Sequence, residues 1–543
     1  MTRPLLPHDR TLRRIVLALF VLVPVAFGVL VQLLEQDANW DLRNYHWYDA
    51  YAALTGRLDV DMGAAQTPSY YNPTLDVPFY IAAQALPARL FGFLLGMLQG
   101  ANFVLLYALA WYALAPVIER QRALAAAVIA GVGIVGGGHL GLVGTIFYDN
   151  VVSLLVFAAL GVVLASIDVL REGALRSALA RCALAGFFVG CGVGLKLPTQ
   201  IFAIGVCFGL LFVPGPFMRR FWMSFVCGLG VIAGFVLLGG WWMWELWTHF
   251  GNPLFPYFND IIRSDWALPE SYRDDRYLPK TIGAALSLPF RLFLDGQTAG
   301  EIAFRDARIL AAYIVLLATP AMLLIARKVP TGGAPPAVDA FAARYLAAAA
   351  ALAYVVWAPL FAIYRYVIPL EMLAPLLIVV CMATWPLSFT RKLSLAIAML
   401  GFVVVTAQPG TWGRKPWGAG LGGTFIDVSP PPIADPAHTL ILMTGFAPTA
   451  FVIPAFPPEI AFLRPYSYLA EPHHAMRFMD TMRARIAAHT GPIYVLQAEW
   501  EKWAGEKALP AFGLAPTLEC RKVASNLDDE IELCAVRRVP PEM

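Results

Sequence analysis

Four polar residues lie at the ends of apolar stretches, and their types suit the handling of an anionic substrate. Asp41 follows the first apolar stretch, Asp149 opens the fourth, Lys196 precedes a break at Pro198, and Arg365 lies between the ninth and tenth. A carboxylate can act as a general base, whereas lysine and arginine bind phosphate. The set predicts a site for an anionic headgroup and for a hydroxyl that must lose its proton.

A structural explanation is also open for each residue. Asp41 belongs to the polar run 35–46, which would fit a hydrated helix end. Asp149 at a helix start would interact with the helix dipole, worth ~0.3–1 kcal/mol. Lys196 would extend its amine to the membrane interface. Broken backbone at membrane depth, however, is tolerated mainly where it is buried in protein or lines a cavity, which favours a phosphate ligand at Lys196.

Four further residues are candidates for substrate binding: Tyr45, His46, Asn252 and Glu371. Glu371 falls inside an apolar stretch, where an acidic group is costly and is functional or paired by default. An ion pair with Arg365 or with Lys196 is the equally weighted alternative. For the aromatic and proline-rich run 250–259, which contains Asn252, a purely structural role is as well supported as binding.

The elements that must position these residues are membrane helices. The chain has 543 residues, of which 59% are hydrophobic and 14% are charged, a composition that excludes a soluble globular enzyme. The net charge of +3 and the absence of blocks of like charge argue against nucleic acid as a partner. Eleven apolar stretches are long enough to cross the ~30 Å hydrocarbon core of a lipid bilayer: 15–34, 90–117, 123–142, 149–168, 179–195, 198–214, 221–244, 307–326, 344–362, 366–386 and 393–407.

Basic residues orient these spans. With the N-terminus inside, every cytoplasmic end is basic, and the residues concerned are Arg3, Arg10, Arg13, Arg14, Arg120, Arg122, Arg171, Arg176, Arg181, Arg219, Arg220, Arg327, Lys328, Arg391 and Lys392. Merging the fifth and sixth spans would reverse this pattern, so the break at Pro198 is kept. The first span is too long for a signal peptide and lacks a clear cleavage site. We therefore expect a multi-pass protein of a bacterial inner membrane with a cytoplasmic N-terminus and an extracytoplasmic C-terminus.

This topology predicts two domains. Residues 1–407 form a membrane domain with outer loops 35–89 and 245–306, and residues 408–543 form a small extracytoplasmic α/β domain. Residues 328–340 would be a cytoplasmic linker. The α/β domain is predicted from one amphipathic stretch, His474–His489, and from four short β-rich runs: Thr439–Met443, Phe451–Pro454, Ile493–Gln497 and Ile531–Val536.

Two cysteines, Cys520 and Cys534, fall in the outer domain, where an oxidising compartment would allow one disulfide. Two buried free thiols are the alternative. No glycine-rich phosphate loop, H-E-x-x-H motif or Cys/His metal spacing occurs. The site described above therefore requires no cofactor and no metal.

With these motifs in view, residues 15–407 resemble the GT-C superfamily of polytopic glycosyltransferases. Asp41 is similar to the acidic residue of that family's first outer loop, and Phe147-Tyr148-Asp149-Asn150 is similar to its second acidic motif. Gly194-Leu195-Lys196 and Arg365-Tyr366 with Pro369 look like motifs of the lipid A aminoarabinose transferase and protein mannosyltransferase branches. The adjacent acidic pair of the family's first loop is absent, because three residues separate Asp37 from Asp41. The C-terminal segment matches no acceptor-binding domain that can be named.

The resemblance implies a reaction. A polyprenyl-phosphate-linked sugar would be the donor, Lys196 and Arg365 would hold its phosphate, and inverting displacement would transfer the sugar to an acceptor whose identity stays open. Asp41 would be the base, with Asp149 as the alternative base or as an orienting group. A lipid-linked O-antigen ligase or polymerase, which uses a diphosphate carrier, and a secondary transporter remain alternative functions.

Overall fold

A computed structural model describes residues 4–326, 337–418, 422–528 and 530–539. Arg3, Arg327, Lys328 and most of the predicted linker 328–340 lie outside these residues. The chain divides into two compact units. The first comprises Met1–Leu34, Phe93–Leu238 and Asp274–Trp412, and the second comprises Glu35–Gly92, Gly239–Arg273 and Gly413–Met543. Segments of both predicted outer loops thus fall in the same unit as the C-terminal segment.

Seven helices in the described residues are long and apolar enough to cross a membrane: Arg10–Leu33, Ala88–Ala113, Leu175–Leu195, Phe217–Phe250, Arg308–Ala326, Ala340–Leu360 and Tyr364–Ala383. Long, predominantly apolar runs explain them, since about 20 such residues cover the hydrocarbon thickness at 1.5 Å per residue. Seven such helices are typical of a multi-pass membrane protein.

The predicted count of eleven spans is not confirmed, because four predicted spans fall on shorter helices. The stretch 123–142 divides into Glu119–Ile134 and Gly137–Gly141, separated by the extended backbone of Gly136. The other three are Asp149–Ala165, Gln200–Gly209 and Phe389–Val405. The remaining helices of the first unit are Ile167–Glu172, Ile282–Leu294 and Gln297–Gly300.

The predicted break between the fifth and sixth spans is present. Helix Leu175–Leu195 ends at Lys196, whose backbone is extended, and a 3-10 turn over Leu197–Thr199 leads into helix Gln200–Gly209. Pro198 explains the break, since proline has no N–H to donate to the preceding turn. The break leaves Lys196 at a corner of the backbone between two helices.

Small residues let helices of the first unit approach closely. A Cβ atom on Gly186 would lie 1.9 Å from the carbonyl oxygen of Cys227, and one on Gly230 would lie 2.2 Å from that of Ala183. Helix Leu175–Leu195 and helix Phe217–Phe250 therefore touch backbone to backbone, as is usual where membrane helices associate through glycine.

The second unit contains a five-stranded sheet. Its strands are β1 (Leu440–Thr444), β2 (Ala461–Tyr466), β3 (Ile493–Ala498), β4 (Leu514–Lys522) and β5 (Ile531–Arg538). Their order is β2-β1-β3-β5-β4. β1 pairs in parallel with β2 and β3, and β5 pairs antiparallel with β3 and β4.

One predicted strand is wrong. Phe451–Pro454 lies in a 3-10 turn, Ala450–Ala455, where Pro454 has no N–H for a strand ladder. The second strand is instead Ala461–Tyr466, which has Pro465 within it. The amphipathic stretch does form a helix, Arg477–Ala488, whose Met479 and Met482 are fully buried in the core beside the sheet.

Shorter elements complete the second unit. Residues Leu42–His46 form a π-helical turn that runs directly into helix Trp47–Thr55, and helix Asp76–Ala85 follows. The remaining helices are Asn259–Ile262 and Lys502–Ala508. Two-stranded pairings join Gln36–Asp37 to Arg414–Lys415 and Val428–Ser429 to Ala524–Ser525.

Candidate functional site

Three of the four residues singled out from the sequence lie together in the first unit, with one glutamate that the sequence did not indicate. We call Asp149, Lys196, Glu301 and Arg365 the charged cluster. Asp149 begins helix Asp149–Ala165 directly after Tyr148, whose backbone is left-handed (φ 66°). Arg365 lies in a 3-10 turn, Tyr364–Val367, and Glu301 follows the short helix Gln297–Gly300. Helix ends and turns thus supply every member of the cluster.

Lys196 makes two hydrogen bonds to the chain at the start of the fourth predicted span. Its ammonium nitrogen Nζ donates to Asp149 Oδ1 at 2.8 Å and to the backbone carbonyl of Phe147 at 2.7 Å. The same nitrogen lies 5.6 Å from the centre of the Tyr366 ring. Only 15% of the Lys196 side chain is exposed, so the structure does not support the alternative in which this lysine extends into the membrane interface.

Arg365 is held on two sides. Its Nε and Nη2 atoms donate to the two carboxylate oxygens of Glu301 at 2.7 and 2.9 Å, a bidentate pairing. The guanidinium carbon lies 4.1 Å from the centre of the Phe147 ring, where the ring's negative face attracts a cation. Trp412 donates its indole N–H to Glu301 Oε2 at 3.1 Å and so orients the carboxylate.

The pKa of Glu301 reports this pairing. Burial alone would raise the pKa of its carboxyl group, but the Arg365 guanidinium, together with the hydrogen bonds from Arg365 and Trp412, lowers it below the usual value. Glu301 is therefore a carboxylate at neutral pH. The cluster thus pairs two acidic side chains, Asp149 and Glu301, with two basic ones, Lys196 and Arg365.

One carboxyl oxygen of Asp149, Oδ2, is buried and accepts no hydrogen bond from the described residues. The nearest guanidinium nitrogen, Arg365 Nη1, lies 3.7 Å away, which is beyond hydrogen-bond distance. Asp149 and Lys196 also line a small cleft of about 10 Å³ with Thr199 and Tyr366. Arg365 is not among the residues that line this cleft.

Asp41 lies in the second unit. The hydroxyl group of Tyr45 donates to Asp41 Oδ2 at 2.9 Å, and one turn of helix separates the two residues. His46 Nδ1 lies 2.7 Å from Asp76 Oδ1. All four side chains are buried or nearly so. Tyr45 and His46 thus hold two carboxylates in fixed positions within this unit.

Glu371 has different partners from those expected. Its carboxylate accepts the backbone N–H groups of Gly138 and His139 and the hydroxyl group of Tyr364. The predicted ion pair with Arg365 or Lys196 is wrong, because those cations face Glu301 and Asp149. Glu371 instead stabilises the N-terminal turn of helix Gly137–Gly141, whose first N–H groups have no carbonyl partner within the helix.

The other candidates of the sequence have structural contacts in the second unit. Asn252 donates to the carbonyl of Tyr257 and accepts the N–H of Leu254, which fixes the turn after helix Phe217–Phe250. A disulfide joins Cys520 on β4 to Cys534 on β5. Among the described residues of this unit, Glu471, His473 and His474 also bring their ligand atoms within 4.8 Å of one another, but these side chains lie at the surface.

Sequence reasoning missed Glu301. It lies in a loop where charged residues are frequent, and nothing in its spacing relates it to Arg365. The available signal was the position of Arg365, since an arginine outside a membrane span on the predicted outer face requires a partner. A search for the carboxylate that pairs with it would have had many candidates within 245–306.

No protein-family model matches the chain, and no curated protein matches it. Among solved structures, the chain is similar to the crystal structure of the Archaeoglobus fulgidus oligosaccharyltransferase in its apo form. The two chains are 14% identical, and the match covers 89% of this chain and 69% of that chain with a TM-score of 0.45. A likeness at this level does not bear on the chemistry of the present chain.

Proposed function

We propose that this chain is a polytopic membrane glycosyltransferase that transfers a sugar from a polyprenyl-phosphate carrier to an acceptor hydroxyl on the extracytoplasmic face. The observation that carries the proposal is the meeting of Lys196 and Arg365 at Asp149. Two cations from separate segments, with side chains 15% and 6% exposed, lie beside apolar helices. Such a position suits a lipid-linked anion, whose hydrocarbon chain can lie against apolar helices while its charge contacts the two cations.

The leaving group explains the need for two cations. When the bond between the anomeric carbon and the phosphate oxygen breaks, its electron pair goes to the phosphate, which departs as a stable anion. Lys196 and Arg365 would stabilise this developing charge, a contribution that is often the largest in catalysis. No general acid is needed, because a phosphate monoester is a good leaving group without a proton.

The donor must displace a competitor. Glu301 occupies the Nε and Nη2 atoms of Arg365, which are the atoms that a phosphate would use in a bidentate contact. We therefore assign Glu301 to holding the guanidinium in place until the donor binds. The phosphate would replace one anion by another, so the buried arginine would have an anionic partner throughout the cycle.

The acceptor must lose a proton as its oxygen attacks the anomeric carbon. We assign the base to Asp41, as the motif resemblance implies, and a positioning role to Asp149, because Oδ1 of Asp149 is engaged by Lys196. The new bond forms between the acceptor oxygen and the anomeric carbon on the face opposite the departing phosphate. This single displacement inverts the anomeric configuration.

A gene deletion tests the proposal. Mass spectrometry of surface glycans from the deletion strain should reveal the loss of one sugar residue. Complementation with the unchanged gene should restore that sugar, whereas Lys196→Met and Arg365→Ala variants should not. Arg291→Ala is a matched control, because Arg291 is an exposed arginine on helix Ile282–Leu294. Glycans unchanged by the deletion would contradict the proposal.

A further inference from the structure

A second cavity, outside the charged cluster, is lined in part by Asp49, a buried acidic residue whose carboxyl oxygens have no hydrogen-bond partner among the described residues. The cavity has a volume of about 250 Å³, and all of its lining residues belong to the second unit. Asp49, Arg57, Asp61, Trp241, Trp242 and Glu245 are among the lining residues. It is therefore larger than a water site, since one water molecule occupies about 30 Å³ of the liquid.

Most polar groups around this cavity have partners within the protein. Arg57 donates to both oxygens of Asp61 at 2.6 and 2.7 Å, and the hydroxyl group of Tyr48 donates to the same carboxylate. Trp241 and Trp242 donate their indole N–H groups to Thr74 Oγ1 and to the carbonyl of Tyr70. The backbone and side chains thus form a fixed wall.

Asp49 is the exception. It is 3% exposed, it lines the cavity, and neither of its carboxyl oxygens has a hydrogen-bond partner among the described residues. Burying a carboxyl group without hydrogen-bond partners is unfavourable, and a ligand that supplies the missing hydrogen bonds removes that cost. Burial, and then the neighbouring Asp76, raise the pKa of Asp49 well above its usual value. A protonated carboxyl group both donates and accepts hydrogen bonds, as a hydroxyl-bearing ligand requires.

The other walls indicate the shape and charge of that ligand. Trp241, a residue that is 46% exposed, lines the cavity and packs edge-on against Trp242 at 5.3 Å between ring centres. An indole face suits the apolar C–H face of a sugar ring. Asp59 and Glu245 also line the cavity, and ring nitrogens of His249, a further lining residue, lie 3.1 and 3.8 Å from their carboxyl oxygens. Arg57 is paired with Asp61. These charges disfavour a phosphate and distinguish this cavity from the charged cluster.

We propose that this cavity binds one neutral sugar ring of the acceptor, with Asp49 receiving its hydroxyl groups and Trp241 packing against its apolar face. The proposal rests on the glycosyltransferase function proposed above and names the acceptor as a carbohydrate. Asp49 is a binding residue in this account and has no part in the chemical step.

Saturation-transfer NMR on the full chain in nanodiscs tests the proposal, with methyl glycosides of the common neutral hexoses as probes. At least one glycoside should bind, and Asp49→Ala and Trp241→Ala should each weaken its binding at least tenfold. Trp244→Ala is the matched control, since Trp244 is an exposed tryptophan of the same helix that does not line the cavity. Trp241→Ala removes a half-exposed ring and its hydrogen bond to Thr74, so its result provides a second test where Asp49→Ala lowers expression.

The outcomes separate this inference from the function on which it rests. No binding of any glycoside, or undiminished binding by the Asp49→Ala and Trp241→Ala variants, would overturn the inference. Binding of a polyprenyl phosphate is measured on the same preparation. Glycoside binding without lipid-phosphate binding would contradict the proposed donor and leave the sugar cavity standing, whereas the reverse result would remove the cavity alone.

Discussion

Glu301 binds Arg365 through two hydrogen bonds of 2.7 and 2.9 Å, and these bonds occupy two of the guanidinium nitrogens that a phosphate would contact. Trp412 fixes the same carboxylate from the other side. Donor binding and the Glu301–Arg365 ion pair therefore compete for one cation. Because of this competition, we expect a change at Glu301 to alter the affinity of the protein for its donor.

Replacing the competing carboxylate should strengthen donor binding. Glu301→Gln keeps the shape of the side chain but removes its charge, so a phosphate meets less repulsion and a weaker competitor. We expect a polyprenyl phosphate to bind about tenfold more tightly, which corresponds to ~1.4 kcal/mol. A titration of the purified variant measures this change, and a lower affinity than that of the unchanged protein would mean that Glu301 supports donor binding.

The two cations should act as a unit. Lys196→Ala and Arg365→Ala should each weaken binding of a polyprenyl phosphate, and the double variant should lose less than the sum of the two losses, because both groups would share one phosphate. A double-mutant cycle on binding free energies tests this coupling. Strict additivity would indicate that the two cations contact different partners.

Replacing Asp41, the proposed base, should slow the chemical step. Asp41→Asn retains the size of the side chain and its place beside Tyr45 but loses the basic carboxylate. Transfer should fall by about 10²–10⁴, the usual contribution of a general base, while binding of the polyprenyl phosphate is unchanged. Near-normal turnover in the variant would assign Asp41 a structural role, and the Asp149→Asn variant would then be measured as the alternative base.

Asp49 should give the second unit a characteristic pH dependence. When the pKa of a carboxyl group is higher in the folded protein than in the unfolded chain, the group ionises first in the unfolded chain as the pH rises, and this ionisation favours the unfolded state. The loss of stability therefore begins above the usual value of 3.8 and grows until the raised pKa of the folded state is reached. Asp49→Asn removes this loss, so its melting temperature relative to the unchanged protein should increase from pH 4 to pH 8. A difference that is constant or falls with pH would contradict the burial of an unpaired carboxyl group.

Part of the site could be predicted because certain residues are costly where the sequence puts them. Lys196 at a helix break and Arg365 outside a membrane span both require a reason, and the structure places both beside Asp149. Glu301 and Asp49 gave no such signal. Glu301 is one acidic residue among several in a loop, and Asp49 lies in a run rich in tyrosine and tryptophan that is equally typical of an interfacial belt.

The fold was predictable to a similar degree. Apolar length identifies the long helices, but it does not reveal where a span divides, as between Ile134 and Gly137. In the sheet, local β-propensity favoured Phe451–Pro454 over Ala461–Tyr466. Ala461–Tyr466 forms the strand because it pairs with β1. Such pairing depends on both segments and cannot be predicted from the local sequence of either one.

An alternative account treats Arg365 and Glu301 as a purely structural ion pair. Removing one partner of a buried pair is strongly destabilising, because the remaining charge is uncompensated. Under that account the Arg365→Ala variant should melt at a lower temperature, and adding Glu301→Gln should restore most of the loss. The expected partner in such a rescue is Glu301 rather than Glu371, since Glu371 stabilises a helix terminus instead.

Titration of the purified protein with a polyprenyl phosphate decides whether Lys196 and Arg365 hold the donor. The titration compares the unchanged chain with Arg365→Lys, Arg365→Ala and the control Arg291→Ala, with the corresponding polyprenyl alcohol and diphosphate as competing ligands. We expect the monophosphate to bind best, Arg365→Lys to bind partially, Arg365→Ala to lose about 10²-fold or more of the affinity, and Arg291→Ala to bind normally. Equal binding of alcohol and monophosphate, or an Arg365→Ala variant that retains full affinity, would contradict the account.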